Sequence, residues 1–146
     1  MSGAGVQIKI SGLKAFQARL DQLLAVDRRE LLEGIGALLE SSTQDRIASG
    51  QGEAPDGSAW PAWSERYAAR RRAGASLLYD SSDLERSITF VAGADLLQVG
   101  TNLEYGATHQ FGDADRNIPA RPYLGLSEED EANIRELVAD FLAGQR

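Results

Sequence analysis

Residues 86–100 read Arg86-Ser87-Ile88-Thr89-Phe90-Val91-Ala92-Gly93-Ala94-Asp95-Leu96-Leu97-Gln98-Val99-Gly100. Ile88 and Phe90 fall on one side of a strand, Leu97 and Val99 on one side of a second, and Ala92-Gly93-Ala94-Asp95 between them is turn-like. This pattern predicts a β-hairpin. Upstream, Val6, Ile8 and Ile10 alternate with Gln7 and Lys9 as a further half-buried strand, ended by Gly12. The remaining periodic segments are helical, and no βαβ alternation runs through them. The chain therefore reads as α+β, an antiparallel sheet with a β-hairpin packed against long N-terminal helices and a C-terminal helix.

Leu13, Phe16, Leu20, Leu23 and Leu24 recur at helical spacing and mark a first amphipathic helix. Asp27 is placed to cap a second, which carries Leu31, Leu32, Ile35, Leu38 and Leu39 and continues to Ile47. Gly34 and Gly36 weaken that helix by roughly 1 kcal/mol each against alanine, which implies close packing there. Ser127 and Asp130 stand at the cap and third positions of the last helix, with Glu128 and Glu129 at the positive end of its dipole. Ile134, Leu137, Val138, Phe141 and Leu142 form its apolar stripe. Between these elements, Pro55-Asp56-Gly57 reads as a tight turn, Ser64 to Arg72 as a short basic helix ending at Gly74, and Ser82-Asp83 as the start of a single turn. Tyr105 to Gln110 reads as a helical turn closed by Gly112, and 113–123 as irregular because of Pro119 and Pro122.

The 146 residues fit one domain, with enough chain to bury a core unaided. There is no cysteine, so disulfides, zinc-thiolate sites and thiol nucleophiles are excluded. The first residues lack the pattern of a signal peptide, and no apolar run approaches the roughly 20 residues that span a bilayer. The expected setting is a cytoplasm or a particle assembled there, with no membrane partner. A net charge of −7 argues against general nucleic-acid binding. The charge is uneven: residues 91–146 hold 4 basic and 10 acidic side chains, whereas Arg66, Arg70, Arg71 and Arg72 cluster in the middle. Such polarity suits head-to-tail contact between copies, or describes two solvated faces.

Enzymatic motifs are incomplete. Asp113-x-Asp115-x-Asn117 begins like a calcium loop, but Ile118 replaces the sixth-position glycine and Leu124 the twelfth-position glutamate. His109 is the only histidine, so a zinc site would need carboxylates alone to complete it, and no serine lies in a G-x-S-x-G turn that would mark a hydrolase nucleophile. No phosphate-binding loop is present, and the only lysines are Lys9 and Lys14. No cofactor is expected. His109 beside Gln110 and Phe111 reads as a hydrogen-bonded structural residue or, alternatively, as a base. Trp60 and Trp63 either cover one end of the core or anchor a neighbouring subunit. Arg121, stiffened between Pro119 and Pro122, either pairs locally with Asp113, Asp115 or the acidic start of the last helix, or reaches a partner's carboxylate.

Three stretches together resemble one family. They are Tyr105 to Ser127 (YGATHQFGDADRNIPARPYLGLS), Pro55-Asp56-Gly57-Ser58-Ala59-Trp60 with Trp63, and Leu84-Glu85-Arg86-Ser87-Ile88. The chain resembles the phage virion morphogenesis family, the tail-completion proteins of Mu-like and P2-like phages, from about the first helix to the last. The resemblance implies a non-enzymatic structural protein of the virion tail or neck, made in the host cytoplasm and joining the tail to the head. It implies copies of itself in a ring, expected to be hexameric, adjacent neck and tail proteins, and DNA passing through the ring without sequence-specific binding. The candidate contact residues are Trp60, Trp63, Arg70, Arg71, Arg72, Tyr105, His109, Gln110, Phe111, Pro119, Arg121, Pro122 and Tyr123. A small hydrolase using His109, or a non-virion cytoplasmic adaptor, are the alternative readings.

Overall fold

A computed structural model describes residues 3–8, 28–71 and 73–144. The hairpin forms where the pattern places it. Strand β2 (Thr89–Ala92) pairs antiparallel with β3 (Leu97–Gly100), Phe90 opposite Val99, and the turn closes through the Gly93 N–H donating to the Leu96 carbonyl at 2.7 Å. Strand β1 (Gly5–Ile8) joins the other side of β3, Val6 opposite Val99, giving a three-stranded antiparallel sheet of order β1-β3-β2. Ile10, Lys9, Gly12, the helix expected from Leu13 to Leu24, its successor's cap Asp27, and Arg72 lie outside the described residues.

Helix α1 (Arg28–Ala48) lies across the sheet and buries Leu31, Ile35, Leu39 and Ile47. Its glycines have the expected cause: the Phe90 ring sits where a β-carbon on Gly36 would go, and Leu137 lies against Gly34. The last helix, α5 (Glu128–Ala143), packs on α1 and buries Val138. Its capping box is complete, with Asp130 N–H donating to Ser127 Oγ at 3.0 Å and Ser127 N–H to Asp130 Oδ2 at 2.9 Å. The architecture is thus the expected α+β arrangement, sheet against a long helix and a C-terminal helix.

Three short helices connect these layers: α2 (Glu65–Ala68), α3 (Asp83–Ser87) and α4 (Glu104–Phe111). The basic helix is shorter than its sequence suggests. It is one turn, capped by Ser64, with no buried residue. Without an apolar face to bury, so short a helix gains nothing from tertiary packing and does not propagate into the arginine run.

Candidate functional site

Pro119 and Pro122 prevent the segment after α4 from joining a sheet, so its backbone groups need other partners. Side chains supply them. Gln110 Oε1, on α4, accepts both the Tyr123 and Leu124 N–H groups at 3.0 Å. Trp60 Nε1 donates to the Pro122 carbonyl at 2.7 Å, and Arg46 Nη1 to the Tyr123 carbonyl at 2.7 Å. The Arg121 N–H donates to the His109 carbonyl at 2.7 Å. The Tyr123 side chain is wholly buried and its hydroxyl donates to the Gly106 carbonyl at 2.7 Å; burial, then Tyr105, raises its pKa. The result is a strap, 119–124, whose Arg121, Tyr123 and Leu124 are buried.

Gly112 sets the path of the strap. It ends α4 at φ +74°, and Ala120 N and the Ile118 carbonyl lie too close to admit a side chain. The loop beyond closes by reciprocal hydrogen bonds between Asp113 and Ile118, both at 2.8 Å. The Asp113 carboxylate accepts Arg116 Nε at 2.6 Å and the Asp115 N–H at 3.1 Å, and these bonds, the Arg116 one foremost, hold its pKa below the ordinary value. Among the described residues, no three acidic or histidine side chains are grouped to hold a metal ion.

Arg121 forms no local ion pair among the described residues. The side chain is buried, and it finds carbonyls instead of carboxylates: Nε donates to Pro61 O at 2.7 Å and Nη2 to Ala62 O at 3.0 Å. It thereby fixes the backbone between the two tryptophans. Trp60 is buried as well, packed in the core as one of its two readings had it, and the Tyr123 ring also lies inside the protein. The cause is long-range, since their partners lie far away in sequence.

The outward side of the strap is different. An open groove of about 870 Å³ runs between α2 and the 116–121 loop, lined by Trp63, Tyr67, Arg66, Arg70, His109, Arg116 and Pro119. Trp63 and Tyr67 meet at 5.6 Å between centroids, and the Arg71 guanidinium lies 4.9 Å from the Trp63 ring centre, a cation–π contact. Arg71 also donates to the Ala75 carbonyl at 3.2 Å. Arg66 and Arg70 form no ion pair among the described residues, and both are exposed. Tyr105 packs edge-on to His109 at 5.8 Å, and Phe111, 69 % exposed, projects from the end of α4. His109 has its Nδ1 buried with no hydrogen-bond partner, and burial, then Arg121, lowers its pKa. A base oriented by a carboxylate would look otherwise.

The expected contact residues thus divide. Trp60, Gln110, Arg121 and Tyr123 form the inner clasp, with the Pro122 carbonyl as one of its acceptors. Trp63, Arg70, His109 and Pro119 line the groove, Arg71 braces it, and Tyr105 and Phe111 are exposed nearby. Tyr67 and Arg66 are further groove residues. Trp63, Tyr67 and Arg71 recur every fourth residue, and that spacing was the available signal. Arg46 and Asp130 gave no such sign. They form a buried ion pair at 3.0 Å, to which the Ser42 hydroxyl adds a short hydrogen bond to Asp130.

Comparison with known proteins decides the family. Residues 9–143 match the phage virion morphogenesis family. The chain belongs to that family. It is similar to the "Putative capsid assembly protein G" of Escherichia phage Mu, 30% identical over 136 residues that cover 86% of this chain and 87% of that one. It is also similar to the "Mu-like prophage FluMu G protein 2" of Haemophilus influenzae, 32% identical over 143 residues covering 93% and 95% respectively. No solved structure gives a significant match. This member of the virion morphogenesis family accordingly spans nearly the whole length of both relatives. None of its described helices is long and apolar enough to cross a membrane.

Proposed function

We propose that this protein is a non-enzymatic structural component of the virion, acting where the tail is completed against the head. The observation that carries the reading is the family match across 9–143, in a chain that spans nearly all of two Mu-type G proteins. One relative is named for capsid assembly, whereas the motifs around His109 and Tyr123 resemble tail-completion proteins. A part seated at the head–tail junction satisfies both descriptions. In this reading each subunit is a stiff wedge: α1, α5 and the sheet form the body, and the clasped strap fixes the outer groove. Copies form a ring and contact neck and tail proteins. A net charge of −7 suits passage of DNA through the ring better than its retention.

The geometry gives a hydrolytic role for His109 no support, because its buried nitrogen lacks an orienting acid. Quantitative mass spectrometry of purified particles is the test. The expected result is this protein in a fixed copy number per particle. Particles that are complete without it would overturn the reading.

A further inference from the structure

We infer that the groove between α2 and the 116–121 loop is the docking site for a second copy of this chain, and that it receives the acidic first turn of that copy's α5. The inference rests on the self-assembly part of the proposed function and names the surfaces that perform it. Its first ground is charge. Arg66 and Arg70 stand four residues apart on the wall of the groove with no ion pair among the described residues, in a chain of net charge −7. Glu128, Glu129 and Glu131 open α5 and are exposed. Among the described residues, only Glu131 of these has an ion pair, a loose one of 3.6 Å to Arg135.

The second ground is the construction of the groove. Its apolar floor is Trp63 and Tyr67, and its shape is held from beneath by Arg121 on the carbonyls of Pro61 and Ala62. A buried arginine devoted to the backbone under two aromatic rings makes a pre-shaped surface, which lowers the ordering cost of docking. With Nδ1 enclosed and unpartnered, neutral His109 is best protonated on Nε2, leaving a donor for a carboxylate or carbonyl.

The third ground is geometric. The groove and the start of α5 share no lining residue, so one copy's α5 can fill the next copy's groove while both sites stay intact. Such a heterologous contact closes into a ring when its rotation permits. Nucleic acid is the less favoured occupant. The few arginines around the groove of an acidic chain neutralise too few phosphates for appreciable affinity.

Charge reversal on each side of the contact tests it with the full chain. Arg66→Glu/Arg70→Glu and, separately, Glu128→Arg/Glu129→Arg are followed by sedimentation at low and high salt, with Glu128→Gln/Glu129→Gln as a milder variant and circular dichroism as the check on folding. Each variant alone should self-associate about tenfold or more weakly, since several surface pairs are lost together. Mixing the two reversed variants should restore association, because each interface then brings opposite charges together. The inference is overturned if the parent protein stays monomeric at low salt, if the folded variants associate like the parent, or if mixing restores nothing. It is also overturned if the groove variant loses binding to short double-stranded DNA while self-associating normally. Each of these results leaves the copy number in particles untouched, so the proposed function stands or falls separately.

Discussion

Gly36 of α1 and Phe90 of β2 occupy the same space: the aromatic ring fills the position that a β-carbon at 36 would take. The helix can lie this close to the sheet only because residue 36 has no side chain. Leu31, Ile35, Leu39 and Ile47 on α1 give the burial, but this contact sets the distance between the layers.

Alanine scanning of the two helix glycines should therefore give opposite signs. Gly36→Ala should destabilise by about 1–3 kcal/mol through overpacking, despite alanine's better helix propensity. Gly34→Ala, whose new methyl would meet Leu137 at an ordinary 3.5 Å, should stabilise by about 0.5–1 kcal/mol. Urea midpoints of the two variants are the measurement. Equal and opposite to expectation would mean that the helix does not sit on Phe90.

Gln110 should behave as a structural residue. Its replacement by alanine leaves the Tyr123 and Leu124 N–H groups without their acceptor in a buried setting. The expected loss is about 1–3 kcal/mol. Thermal unfolding checks this, and an unchanged midpoint would show that the clasp is dispensable.

Amide exchange should map the same division. Tyr123 and Leu124 amides, buried and bonded, should exchange only by large-scale opening, in isolated protein as in particles. Residues 69–71, exposed on an unpacked turn, should exchange rapidly. Fast exchange at Tyr123 would contradict the buried strap.

Acid stability should depend on Asp130. Burial alone would raise its pKa, but the Ser127 N–H, the Ser42 and Ser127 hydroxyls and Arg46 outweigh that and hold it below 3.8. A carboxyl lowered in the folded state stabilises above its unfolded value, and this contribution is lost as pH falls below 3.8 through the folded value. Asp130→Asn should lower stability at neutral pH and flatten the acid limb of the stability curve. Denaturation midpoints measured from pH 7 down to acid are the check; parallel curves for both proteins would refute it.

His109 should act in the opposite direction on the pH scale. Its folded pKa lies below 6.5, so the unfolded chain binds the extra proton first and folding weakens as pH falls through 6.5. His109→Gln should remove that component of the pH dependence. A hydrolytic activity abolished by this substitution would defeat the structural assignment.

The sequence by itself determined the elements whose causes are local. Period-2 runs and a turn produced the hairpin of Thr89–Ala92 and Leu97–Gly100, a capping box and an apolar stripe produced α5, and two glycines announced a close approach before its partner was known. The motifs around residues 55–63 and 105–127 were also enough to suggest the family. Tertiary structure alone decided what those motif residues do. Trp60 meets Pro122 across 62 residues, Arg121 meets Pro61 across 60, and Arg46 meets Asp130 across 84. Whether a tryptophan or an arginine faces inward depends on which distant carbonyl the packing brings within hydrogen-bond reach, and no local period encodes that distance.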